Sequence, residues 1–119
     1  MLKRKEFLDQ KEIVQRDGIE IFNGIFVGGR LSAMNYELLT ARNVVAIVNV
    51  TTEVRCYFEK ENCFQYKKIP VNDAIEDNLS QYFNEAAEFI SNAKKTGNVL
   101  IHCKMGQSRS CTILVACKH

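Results

Sequence analysis

Cys103 and Arg109 stand at the two ends of a polar turn inside the stretch "VLIHCKMGQSRSCTILVAC", residues 99–117. An apolar run stops at His102-Cys103. Lys104, Met105, Gly106, Gln107 and Ser108 follow, and a second apolar run begins after Arg109-Ser110. If the first run is a strand and the second a helix, residues 104–109 wrap the helix N-terminus with successive main-chain amides. Such a nest holds a tetrahedral oxyanion, because unpaired N–H groups and the positive end of the helix dipole meet there. Gly106 permits a backbone geometry or a close approach that a side chain would block. Arg109 presents a planar fork to two phosphate oxygens. Cys103 lies at the base of the nest, and thiols beside a helix N-terminus and a guanidinium ionise more readily than free ones. A thiolate beneath an anion cup is arranged to attack phosphorus. The Ser110 hydroxyl can donate to that sulfur, both as nucleophile and as leaving group. His102 faces the other way on the strand and is expected to order the loop through hydrogen bonds rather than to transfer protons.

The elements that must position this loop are legible in the patterning. "IEIFNGIFVGG" (19–29) is two apolar runs joined by Asn23-Gly24, the favoured two-residue hairpin turn. Ser32 is expected to cap a helix carrying Met34, Leu38 and Ala41 on one face, with Asn43 as a left-handed stop. "VVAIVNV" (44–50) is a continuous apolar run of the kind covered on both faces in parallel sheets. "FQYKKIPV" (64–71) reads as a shorter strand ending at Pro70. A helix is expected over 79–95: Asn78 and Gln81 suit a capping box, and Leu79, Tyr82, Phe83, Ala86, Ala87, Ile90 and Ala93 form one stripe, with Gly97 as its end. "NVLIHC" (98–103) is a further buried strand and 109–118 a last helix, while residues 2–16 suit a short amphipathic one. Helices alternating with apolar strands imply an α/β fold with a mostly parallel central sheet flanked by helices. The whole chain, 1–119, reads as a single domain.

Composition narrows the function classes. Apolar residues make up 46% and charged residues 25% of 119, and the formal charge is +2, too small to argue for nucleic acid or a membrane surface as partner. Lys3, Arg4, Lys5, Lys11 and Arg16 are offset by Glu6, Asp9 and Glu12 and read as a solvated helix face. "MLKRKEFLDQ" has no signal-peptide apolar core, and no stretch reaches membrane-span length. The five cysteines (56, 63, 103, 111, 117) cannot all pair and fit no zinc spacing, which suggests a reducing cytoplasmic or nuclear setting. Cys111 could resolve an oxidised Cys103, but packing in the core is the expectation for it and for Cys117. Cys56 and Cys63 bracket a polar segment and are expected to be partly exposed.

H-C-K-M-G-Q-S-R-S (102–110) resembles the H-C-x-x-G-x-x-R-[S/T] signature of cysteine-dependent protein phosphatases, and "GQSRS" is similar to the dual-specificity branch of the protein tyrosine phosphatase superfamily. "GIFVGG", "VNVT", "FQYKKIPVND" and "NLSQYFNEAAEFI" stand in that family's order, so the resemblance covers about residues 19–117. It implies a phosphatase-like fold and a general acid on the loop before the long helix, where the matching residue is Asp73. Expelling an alkoxide or phenoxide demands such an acid in any case, typically for 10²–10⁴-fold in rate. Asp77 and Glu76 are the rivals, although carboxylates so close to the cap Asn78 commonly just complement the helix dipole. The resemblance implies catalysis without a metal or other cofactor, and the chain's two histidines offer no carboxylate–histidine cluster for a two-metal centre.

The substrates so implied are proteins phosphorylated on tyrosine and on serine or threonine. Lys104 beside the cysteine raises phosphoinositides as an alternative, although lipid-cleaving relatives often carry a second basic residue where Gln107 stands. A phosphoresidue-binding pseudophosphatase is the non-enzymatic alternative, and such proteins commonly lose the cysteine kept here. One departure from the family is expected to matter. The sequence runs only ten residues past Arg109, without the further helices the family usually adds, and "SCTILVACKH" is apolar on nearly every side. Three covers for that helix suggest themselves: more chain beyond it, the segment 2–16, or a second copy in a homodimer.

Overall fold

The computed structural model describes residues 16–70 and 81–103. The expected helix over 109–118, all but the last residue of the one over 2–16, the capping position Asn78 and the stripe residue Leu79 lie outside them. Asn23 and Gly24 have φ of 44° and 82°, the left-handed pair that a two-residue hairpin needs. They join β1 (Ile19–Phe22) to β2 (Ile25–Gly28) in antiparallel register. Two short helices follow, α1 (Arg30–Ala33) and α2 (Tyr36–Ala41). The single helix expected here is divided because Asn35 caps a new one: its Oδ1 accepts from Leu38 N at 3.1 Å. Ser32 is not a cap but is buried within α1. Asn43, at φ 54°, stops α2 in the left-handed region, as expected.

β3 (Val44–Asn49), β4 (Gln65–Lys68) and β5 (Asn98–His102) complete a five-stranded sheet of order β1-β2-β5-β3-β4. All pairings except the β1–β2 hairpin are parallel. Between β3 and β4 the chain makes one 3₁₀ turn, Glu59–Glu61. α3 (Phe83–Ala93) precedes β5 and buries Ala86, Ile90 and Ala93 from the expected stripe. Among the described residues, no helix is long and apolar enough to cross a membrane.

Helices cover both faces of the sheet, so its inner strands are apolar on both sides. Val27, Val48, Val99 and Ile101 pack with Ala86, Ile90 and Ala93 of α3. Phe26, Ile47 and Leu100 pack on the other face with Ala33 of α1, Leu39 of α2 and Phe64. At the foot of β5, Asn98 ties the Arg42–Asn43 turn to the end of the helix that precedes the strand. Its N–H donates to Asn43 O at 2.8 Å, its Nδ2 to Arg42 O at 2.8 Å, and its Oδ1 accepts from Lys94 Nζ at 2.9 Å. The innermost strand is thus anchored at its start, and its other end delivers His102 and Cys103.

Candidate active site at the end of the central strand

Four parallel strands end on one rim of the sheet, and ligands of α/β folds gather beyond such ends. β5 lies between β2 and β3, with Gly28 and Asn49 both in register with His102. Cys103 is the next residue and is 2% exposed. It belongs to the apolar cluster on the α3 face, with Val99 and Ile101. Leu100 belongs to the opposite cluster, and strand alternation puts His102 on that side with it. The expected opposition of His102 and Cys103 follows from this period of two.

His102 is buried, and among the described residues neither imidazole nitrogen has a hydrogen-bond partner. Burial disfavours the imidazolium, and the charge of Lys68 does so further, while the main chain of Cys103 partly opposes both. The result lowers its pKa from 6.5 to about 4. At neutral pH the ring is uncharged, so it adds no positive charge beneath the thiol.

A polar network beside His102 fixes the rim. Asn49 and Thr51 are fully buried. Asn49 Nδ2 donates to Val54 O at 2.7 Å, and Lys68 Nζ donates to the same carbonyl at 2.8 Å. Thr51 Oγ1 donates to Asn49 Oδ1 at 2.7 Å and accepts from Val54 N at 3.0 Å. Main-chain bonds extend the tie: Val50 N donates to His102 O at 2.8 Å and Ile69 N to Asn49 O at 2.8 Å. The ends of β5, β3 and β4 and the turn at Val54 are therefore one hydrogen-bonded unit. Sequence reading took Asn49 as a strand residue only. The available signal was an asparagine in an otherwise apolar, doubly covered strand, which must find partners.

Of the expected site residues, the structure places His102 and Cys103. Lys104, Met105, Gly106, Gln107, Ser108, Arg109 and Ser110 lie outside the described residues, as do Asp73, Glu76, Asp77, Cys111 and Cys117. Cys63 is exposed and Cys56 half-buried, as expected of the polar segment.

Residues 25–117 match the family profile described as "Dual specificity phosphatase, catalytic domain". The chain is 42% identical over 117 residues to human protein phosphatase Slingshot homolog 2, covering 94% of this chain and 8% of that protein. It is 39% identical over 99 residues to human dual specificity protein phosphatase 9, covering 82% of this chain and 26% of that one. It thus spans a small part of the length of these curated relatives. Among solved structures, a human tyrosine phosphatase-like serine/threonine/tyrosine-interacting protein superposes with a TM-score of 0.76 at 26% identity, over 85% of this chain and 71% of that one. Human DUSP28 shares the fold with a TM-score of 0.75 at 24% identity, over 84% and 67%. The chain belongs to the dual specificity phosphatase family, which it matches through the catalytic domain.

Proposed function

We propose that this chain hydrolyses phosphate monoesters on phosphotyrosine and phosphoserine or phosphothreonine of proteins, through a cysteinyl-phosphate intermediate. The observation that carries the reading is Cys103, held at the end of the innermost strand of a dual specificity phosphatase domain and followed by the complete signature to Ser110. The Cys103 thiolate attacks phosphorus in line, forming the S–P bond as the P–O bond to the leaving group breaks. Arg109 and the main-chain amides of Lys104 to Arg109 hold the three equatorial oxygens. Asp73 gives its proton to the departing oxygen. In the second step water attacks the phosphorus, its proton passes to the Asp73 carboxylate, and the S–P bond breaks. The electrons return to sulfur, which Ser110 stabilises by a hydrogen bond. No metal enters either step.

The domain so read extends over 1–119, and a cytoplasmic or nuclear setting and phosphorylated protein partners belong to the same proposal. A homodimer is one of the three covers named above for the apolar run after Arg109, beside more chain and the segment 2–16. The competing reading is the pseudophosphatase raised from the sequence, phosphoresidue binding without turnover. Hydrolysis of an aryl phosphate by wild type, Cys103→Ser and Asp73→Asn separates the two. Cys103→Ser is expected to lose essentially all turnover. Asp73→Asn is expected to lose most with poor leaving groups, while vanadate inhibits wild type and chelators do not. Absence of turnover in wild type would overturn the catalytic reading, and loss of activity to a chelator would overturn the metal-free mechanism.

A further inference from the structure

A second feature of the rim is a cleft of about 400 Å³ lined by Arg30, Glu53, Val54, Arg55 and Tyr57. Its two arginines come from the segments that follow the strands on either side of β5. Arg30 follows the end of β2, and Arg55 lies in the turn after β3. Gly28 and Asn49, the strand ends behind these loops, are the two residues in register with His102. The cleft is thus shared by the segments that follow the two strands flanking β5.

Arg55 projects from a fixed point. Val54 is buried, its carbonyl accepts from Asn49 Nδ2 and Lys68 Nζ, and its N–H donates to Thr51 Oγ1. The Arg55 guanidinium rests over the Tyr57 ring, 5.4 Å from its centroid, and Tyr57 in turn packs on the core. Among the described residues, neither Arg30 nor Arg55 takes part in an ion pair. Among the described residues of this lining, Glu53 is the only carboxylate, against two arginines. The neighbouring hollow of about 300 Å³ sets Arg55 and Lys60 against Glu59 and Glu61, so charges balance there. The unmatched charge lies on the Arg30 side.

We propose that the Arg30–Arg55 cleft is an anion subsite that receives an acidic group, a carboxylate or a second phosphate, of a phosphopeptide whose scissile phosphate sits at Cys103. The inference rests on the catalytic reading above. Two guanidinium groups, of which Arg55's lies over the Tyr57 ring, suit planar carboxylate and phosphate oxygens. An extended peptide advances about 3.3–3.6 Å per residue, so the position of the flanking acidic residue that gains most reads out the span from Cys103 to the cleft. Glu53 lines the same cleft, and its negative charge opposes an incoming anion.

The test compares phosphopeptides that are identical except for flanking glutamate, flanking phosphoserine or flanking glutamine. Wild type is expected to favour the acidic peptides in kcat/KM, with the difference in KM and a preference that weakens with salt. In Arg30→Gln/Arg55→Gln the preference is expected to fall about tenfold, as for two charge-assisted contacts at a solvent-open site. In Glu53→Gln it is expected to rise. The glutamate and phosphoserine arms separate the two sources of negative charge. Binding of the same peptides to Cys103→Ser, with and without the arginine substitutions, gives the same comparison without turnover. Wild type inactive on every substrate would sink the catalytic reading, while binding that still followed the arginines would uphold the subsite. An unchanged preference in the folded double variant would overturn the subsite. So would a loss confined to phosphoinositide in lipid vesicles, which would assign the arginines to a membrane surface.

Discussion

Replacing His102 with glutamine should abolish a specific part of the protein's acid sensitivity. In the folded state burial, with Lys68 nearby, holds the imidazole at a pKa of about 4, against 6.5 for an ordinary histidine. Above pH 6.5 the ring is neutral in both states and contributes no pH dependence. Between pH 6.5 and 4 the unfolded chain takes up a proton that the folded one refuses, so stability falls as pH falls. From pH 7.5 to 4.5 the loss amounts to about 2–3 kcal/mol, reckoned from these two pKa values at 1.36 kcal/mol per unit. Below pH 4 both states are protonated and this site adds nothing further. Urea unfolding of wild type and His102→Gln at the two pH values reads it directly. Carboxylate contributions are shared by both proteins and cancel in the difference. The wild type should lose about 2–3 kcal/mol more than the variant between pH 7.5 and 4.5. Lys68→Met, which removes the ammonium, should narrow that gap. Equal losses in wild type and His102→Gln would refute the claim that the ring is buried and neutral, and with it the conclusion that His102 adds no charge beneath Cys103.

Two further substitutions probe the scaffold. Asn49→Ala removes a donor to Val54 O and the acceptor of the Thr51 hydroxyl, so a cost of about 1–3 kcal/mol is expected in denaturant unfolding. Gly24→Ala puts a side chain at φ 82°, with a backbone cost of about 1–2 kcal/mol. Its Cβ would also crowd Asn98 Oδ1 and Lys94 Nζ, so the melting temperature should fall.

Features set by local chemistry were legible before any coordinates. Asn23-Gly24 admits few conformations other than a tight hairpin, Asn43 accepts a positive φ at a helix end, and Ile90 with Ala86 and Ala93 marks one helical face. The doubly apolar run 44–50 placed β3 inside a parallel sheet by the same kind of argument. What escaped depends on groups that only the fold brings together. Asn35 and Ser32 are both good caps, and only packing of Ser32 beneath Gly28 decides between them; a Cβ on Gly28 would lie 2.5 Å from Ser32 Oγ. Asn49, Thr51, Val54 and Lys68 meet because β3, β4 and the turn at Val54 converge. Arg30 and Arg55 share a cleft for the same reason, from opposite sides of β5. Cys103 was singled out by the full run from His102 to Ser110 between a strand and an expected helix, and its place at the end of β5 follows from the burial of that strand on both faces.

The nucleophilic role of Cys103 is tested most directly by acid-quenching the protein during turnover of an aryl phosphate with a good leaving group. Mass analysis of the tryptic peptide "TGNVLIHCK" (96–104), whose only cysteine is Cys103, then locates the phosphoryl group. A phosphoryl group on Cys103 in wild type is expected. It should accumulate in Asp73→Asn, where the second step lacks its base, and be absent in Cys103→Ala. Turnover with no phosphoryl group on that peptide in wild type or Asp73→Asn, or undiminished turnover in Cys103→Ala, would contradict the account.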